Sequence, residues 1–360
     1  MKELKIEEKI AQMFLIELQE KDITQETIEM IKKYKIGGVV LFRRNYDSYD
    51  EMINLVNKLK ELNRENDIPL FISLDQEGGR VNRMPFELKN LKSAGTFAKT
   101  KNIEIVKESA NLISEMLNGM GVNLNYAPVL DIRRFEDDNH AIGNRCYGFN
   151  KEDVSKYGIV AMKQMQENKI IPAVKHFPGH GATMKDSHFT LPIVDKTKED
   201  LENDDMVPFK NAIDEGAAAI MVGHIIIKDI DNKHPASLSK KIIQSYLIDK
   251  YKYKGLIITD DLKMLAIRLK YSQKKAVELA IEAGNDMIIL GCKYKEIIKI
   301  IKYIAGNIKS GKINANRVEQ SVNKIITMKE KYNVNDNEIK GLNIEEINKK
   351  IEELNNKVEI

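Results

Sequence analysis

IGGVVLFRRNYDSYDEMINLVNKLKELNRENDIPLFISLD, residues 36–75, holds two apolar runs, IGGVVLF (36–42) and LFISLD (70–75), on either side of a segment with a different period. In that segment, MINLVNKLKELNREN (52–66), apolar residues fall at 53, 55, 56, 59 and 62, which is the spacing of one helical face. A strand, a helix and a second strand in this order make a parallel βαβ unit, because parallel strands need a long crossover between them. The same rhythm runs along the chain. Further strand-like runs are MFLIEL (13–18), VNLNYA (122–127), IPAVKH (171–176), AAIMVGH (218–224), GLIITD (255–260) and DMIILG (286–291). Several are apolar throughout rather than alternating, as strands buried on both faces are. Eight such units predict an α/β fold of the (β/α)8 TIM-barrel type. An open doubly wound sheet is the alternative, but no GxGxxG follows the first strand and no GxxxxGK[ST] loop occurs.

After the last strand, KEIIKIIKYIAG and RVEQSVNKIITMKEKY both read as helices, so residues 1–332 are expected to form one catalytic barrel domain. Residues 333–360 are expected to form a C-terminal helical tail. That tail is polar at first, then carries apolar residues at 344, 347, 351, 354 and 358. This spacing suits packing against the barrel; a short coiled-coil seam is the other reading.

Composition narrows the functional classes. The chain has 360 residues, 42% of them hydrophobic and 31% charged, as in an ordinary globular protein. A net charge of +3 without a compact basic patch argues against a nucleic-acid partner. Cys146 and Cys292, the only two cysteines, make neither a disulfide framework nor a CxxC pair. The N-terminal segment lacks the apolar stretch of a secretory signal, and no run is long enough to span a membrane. The expectation is a cytoplasmic protein without a membrane partner, a monomer or weak oligomer acting on a small molecule.

In such barrels chemistry sits at the C-terminal ends of the strands. Those ends carry Asp75, Lys175, His176, His224, Thr259, Asp260 and Asp261, and the loops beyond them carry Asp131, Arg145, Asp186 and His188. Each also has a plain structural reading. Asp261 can cap the next helix. His224 can be a satisfied core histidine, and Asp75 can simply pair with Arg80 or Arg83. Gly78, Gly79, Gly179 and Gly181 are turn residues on any reading. His140 and His234 lie in polar loops and read as surface groups. So many ionisable groups on one rim exceed what capping requires.

KHFPGHG (175–181) followed by DSH (186–188), with LDQEGGRVNRM, APVLDI, IGNRCYG and ITDDLKM, resembles the family 3 glycoside hydrolases. Within them it is similar to the β-N-acetylglucosaminidase (β-hexosaminidase) branch of peptidoglycan turnover and recycling. The resemblance runs from about Ile6 to Tyr332 and implies a (β/α)8 barrel. It implies that Asp260 is the catalytic nucleophile and that His188, partnered by Asp186, is the general acid/base. It further implies that Asp75, Arg145, Lys175 and His176 hold the hydroxyls of the terminal sugar. Two departures are visible. Cys146 stands where Ser is usual, and the helix after ITDDLKM lacks the usual Gly. The β-glucosidase branch commonly has Trp after the nucleophile and a second domain with a carboxylic acid/base, whereas this chain has Asp261 there and no Trp.

Retaining hydrolysis needs a nucleophile on one face of the anomeric carbon and a proton donor on the other. A carboxylate fits the first role, being ionised at neutral pH. Histidine fits the second, because it titrates near neutrality unaided. Asp186, two residues before His188, points the same way if the backbone is extended, and would orient the ring as Asp does in a Ser-His-Asp triad. Gly179 and Gly181 are expected to let this segment bend over a bound sugar, and His180 is assigned to loop structure. No cofactor is expected. A metal-dependent hydrolase using His176, His180, His188 and Asp186 is a remote alternative, since their spacing matches no compact ligand motif. A silent sugar-binding module would leave the Asp-His pair without purpose. A β-N-acetylglucosaminide phosphorylase remains open, because a neutral histidine does not repel phosphate.

Overall fold

A computed structural model describes residues 3–137, 140–181 and 192–358. Among them are strands β1 (Phe14–Glu17), β2 (Gly38–Val40), β3 (Phe71–Leu74), β4 (Leu124–Asn125) and β5 (Ile171–Phe177). β6 (Ile193–Val194), β7 (Ala219–Val222), β8 (Ile226–Ile227), β9 (Leu256–Thr259) and β10 (Ile288–Leu290) follow. Eight of these form one parallel sheet in the order β10-β1-β2-β3-β4-β5-β7-β9. Its ends meet through a parallel bridge from Ile258 to Met287, and the Thr259 N–H donates to the Met287 carbonyl at 3.0 Å. The result is the (β/α)8 barrel that the sequence rhythm predicts, with one strand from each of the eight runs.

Local chemistry explains both the agreement and the small shifts. The helix predicted over 52–66 spans Tyr49–Asn63, because Ser48 caps it by accepting from the Glu51 N–H at 3.2 Å. Its buried face, Met52, Leu55, Val56 and Leu59, shares Leu55, Val56 and Leu59 with the stripe seen in the sequence, while Ile53 and Leu62 are half-buried. Burying each such side chain is worth about 1.5–3 kcal/mol. A Cβ on Gly38 would stand 2.5 Å from Phe71 Cβ and 2.8 Å from Leu15 Cδ2, so glycine lets β2 pack between its neighbours.

Residues 333–343 cross the N-terminal end of the barrel. Asp336 accepts from the Leu70 N–H at 3.2 Å, just before β3, and from Asn63 at 2.7 Å. The helix Ile344–Asn356 then lies against the helix Ile103–Gly119, burying Ile347, Ile351 and Leu354. β6 and β8 form a separate parallel pair outside the barrel. Among the described residues no helix is long and apolar enough to cross a membrane.

Candidate active site

The C-terminal strand ends surround a cavity of about 480 Å³. Asp75, Arg145, Lys175, His176 and Asp260 all line it. Asp186 and His188 lie outside the described residues.

One wall is a buried charge network. Lys175, at the end of β5, donates to Asp75 Oδ1 at 2.6 Å and stands 2.6 Å from Glu77 Oε1. Arg145 grips Glu77 with two parallel bonds, Nε to Oε2 and Nη2 to Oε1, both 2.8 Å. Burial opposes the Glu77 charge, but Arg145 and Lys175 outweigh it and hold the carboxyl well below the usual range. Burial likewise disfavours the Lys175 ammonium, and the Asp75 and Glu77 charges overcome this and raise its pKa. Asp75 therefore pairs with Lys175, not with Arg80 or Arg83 as the plain reading had it. Gly78 and Gly79, with φ of 85° and 58°, make the turn that sends the chain back after Glu77.

The second wall belongs to His176. Its Nδ1 lies 2.7 Å from Asp131 Oδ2, and its backbone N–H donates to the same carboxylate at 3.2 Å. The His180 N–H donates to Asp131 Oδ1 at 2.6 Å. Burial works against the Asp131 charge, yet the His176 ring and these bonds lower its pKa. Engaging Nδ1 leaves Nε2 as the ring nitrogen able to meet a ligand. Adjacent residues of a regular strand point to opposite faces. Here the β5–β7 register shifts between Val174 and Phe177, and both Lys175 and His176 line the cavity.

Opposite stands Asp260, at the tip of β9. Its backbone N–H donates to the Val222 carbonyl at 3.0 Å, and its Oδ1 accepts from the Asp261 N–H at 2.8 Å. His224 lies fully buried beneath it: Nδ1 meets Ser237 Oγ at 2.7 Å, and Nε2 donates to the Asp261 carbonyl at 2.9 Å. Both ring nitrogens are used, which is the core-histidine reading. His180 does more than shape the loop, since it also lines the cavity, its ring edge-on to His176 at 5.8 Å.

Gly181 and Pro192 flank the residues among which Asp186 and His188 fall. Gly181 packs on the Ile132 carbonyl, where any Cβ would clash. The Pro192 carbonyl accepts from the Ile226 N–H at 2.9 Å. The Gly181 backbone is not left-handed, so close contact rather than bending demands that glycine. Cys146 is buried against Val129 and Ile142 and does not itself line the cavity.

The sequence names Asp131 at the rim but not its partner, and two other residues of this site are passed over. Glu77 looked like part of a glycine turn. Glu17 did leave a signal, as the lone acid in the apolar run MFLIEL. It lines the cavity and pairs with Arg44 at 2.8 Å. Among the described residues no three His, Cys, Asp or Glu side chains stand together as a metal site.

The profile of the glycosyl hydrolase family 3 N-terminal domain matches residues 5–328. β-Hexosaminidase A of Pseudoalteromonas piscicida is 30% identical over 331 residues, 85% of this chain and 55% of that protein. The chain thus spans about half the length of that relative. The β-hexosaminidase of Actinobacillus pleuropneumoniae serotype 5b (strain L20) is 30% identical over 295 residues, 80% of this chain and 84% of its own length. A solved family 3 β-N-acetylglucosaminidase from Paenibacillus sp. str. FPU-7 superposes with a TM-score of 0.91 at 30% identity. That match covers 98% of this chain and 68% of the other.

Proposed function

The chain belongs to glycosyl hydrolase family 3, and we propose that it is a retaining exo-β-N-acetylglucosaminidase acting on peptidoglycan fragments. The observation that carries this reading is one cavity with Asp260 on one wall and the Asp75–Lys175–Glu77–Arg145 network with His176 on the other. Fixed carboxylates and cations of this kind suit the hydroxyls of a terminal sugar. The relatives above, named as β-hexosaminidases, favour N-acetylglucosamine as that sugar. Arg83 and Arg268 line the same cavity without a carboxylate partner among the described residues, which suits an acidic leaving fragment.

In this mechanism Asp260 attacks the anomeric carbon and forms a glycosyl-enzyme. His188 protonates the leaving oxygen, then takes a proton from the water that releases the sugar. Asp186 orients the His188 ring. His188 is seven residues from Gly181, a reach of at most about 25 Å of extended chain. His176, with Nδ1 held by Asp131, offers Nε2 to the sugar.

The test separates the two roles. Asp260→Ala abolishes turnover of every glycoside. General acid help is worth roughly 10²- to 10⁴-fold, but a nitrophenyl leaving group hardly needs it. His188→Ala therefore gives a burst of nitrophenol followed by slow release, and azide speeds the second step. Equal loss on activated and unactivated substrates, without burst or azide effect, sinks the acid/base assignment. Aryl β-N-acetylglucosaminide is turned over with a higher kcat/KM than aryl β-glucoside. Sugar 1-phosphate as product in phosphate buffer would make the enzyme a phosphorylase instead.

A further inference from the structure

We infer that Asp261 is a neutral acid sharing one proton with Glu17, and that this pair positions the nucleophile; the inference rests on the assignment of Asp260 above. Asp261 Oδ1 already accepts two backbone bonds, from Lys263 N–H at 2.9 Å and Gly291 N–H at 3.0 Å. Its Oδ2 converges with the Glu17 carboxyl over Gly291. A Cβ on that glycine would stand 2.8 Å from Asp261 Oδ2 and 2.7 Å from Glu17 Cδ. Glu17 has cations of its own, Arg44 at 2.8 Å and Lys263 at 3.5 Å, both on Oε2. Two carboxyls meeting this way do not both ionise, and the one without the cations keeps the proton. Asp261 thus donates its O–H from Oδ2 to Glu17.

The surroundings agree. Burial, followed by the Glu17 charge, pushes the Asp261 carboxyl up to about 8. Among the described residues, the other groups facing it are Asp260 and Lys263 on its own segment, Tyr126 beyond β4 and Cys292 beyond β10. Burial keeps the last two neutral by raising both pKa values. The link to chemistry is the backbone of Asp261. Its N–H supports Asp260 Oδ1 at 2.8 Å, and its carbonyl is held by His224 at 2.9 Å. Losing the shared proton sets two carboxylates against each other one residue from the nucleophile. That repulsion withdraws the N–H that aims Asp260, so Asp261 is a positioning residue, and its neutral form is the working one.

The experiment is the pH profile of kcat/KM on nitrophenyl β-N-acetylglucosaminide with the full chain. This leaving group needs no acid, so the titration of His188 does not set the alkaline limb. In the wild type kcat/KM falls about tenfold per pH unit above about 8. In Asp261→Asn the amide donates to Glu17 at every pH, and in Glu17→Gln the partner no longer ionises. Both variants lose the limb, so the ratio of kcat/KM at high pH to that at neutral pH rises in each. A limb that stays in place in both overturns the proposal.

Thermal unfolding against pH gives a second readout that needs no turnover. A folded pKa raised above the unfolded one contributes stability that is fully present below about 4 and lost as pH rises through about 8. The Tm of the wild type therefore declines relative to Asp261→Asn across that window. A constant difference overturns the shared proton even if the variant is inactive. Should Asp260→Ala retain turnover while the Tm difference shifts as expected, the nucleophile assignment fails and the proton sharing stands.

Discussion

Arg145 holds Glu77 through two parallel bonds of 2.8 Å, and Lys175 closes on the same carboxylate at 2.6 Å, all three largely buried. Removing one partner of such a buried set leaves uncompensated charge, which costs about 3–5 kcal/mol. Glu77→Gln is expected to lose stability of that order at neutral pH. It also frees Arg145 and Lys175 from their positions at the cavity, raising KM by roughly 10- to 100-fold. The pH dependence has a defined sign. Glu77 is depressed in the folded state, so its contribution is present above the unfolded value of about 4.3 and lost as pH falls below it. The gap between wild type and variant in denaturant unfolding should therefore close under acid. A gap independent of pH would falsify the assignment of its charge.

Asp131→Asn tests the support of His176. The amide keeps one acceptor but cannot serve the His176 ring, its backbone N–H and the His180 N–H together. A loss of about 1–3 kcal/mol is expected. Asp131 is also depressed, so this difference too shrinks as pH falls below the unfolded Asp value of about 3.9. Steady-state kinetics should show KM rising more than kcat falls, because His176 is offered to the sugar and not to the reacting bond. The reverse pattern removes His176 from sugar binding.

The barrel was legible because eight apolar runs alternate with helical stripes, and period is a local property of the chain. The rim was partly legible for the same reason: once strand ends are placed, Asp75, Lys175 and Asp260 fall at them. Pairings were not. Whether Asp75 meets Lys175 or an arginine depends on which side chains share the cavity, and β3 and β5 are 100 residues apart at that contact. Asp131 is 45 residues from the histidine it orients. Gly181 was read as a hinge, because sequence shows that a residue is small but not that the Ile132 carbonyl fills the space beside it.

The tail offers a stability test. Ile351 is fully buried where its helix meets Ile103–Gly119, and Lys350 pairs with Glu115 at 2.9 Å alongside. Ile351→Ala should cost about 2–5 kcal/mol in cooperative unfolding of the whole barrel. Glu353→Ala, on the exposed face of the same helix, is the control and should change little. If Ile351→Ala leaves the unfolding midpoint unmoved, the tail does not fold as part of the barrel.

Gly181→Ala decides between a hinge and a close contact. Were the glycine there for flexibility, alanine would stiffen the segment carrying Asp186 and His188 and slow turnover, with little effect on stability. The contact argues otherwise. A Cβ at 181 falls on the Ile132 carbonyl, which is backbone and cannot rotate away. Relief requires residues 131–132 to move, and Asp131 is the carboxylate that fixes His176 and His180. Overpacking of this kind costs about 1–3 kcal/mol. Gly181→Ala should therefore lower the unfolding midpoint and raise KM on nitrophenyl β-N-acetylglucosaminide, as Asp131→Asn does. Azide should not rescue it, since the defect lies in sugar binding and not in activation of water. A variant with wild-type stability, unchanged KM and an azide-sensitive kcat would restore the hinge reading.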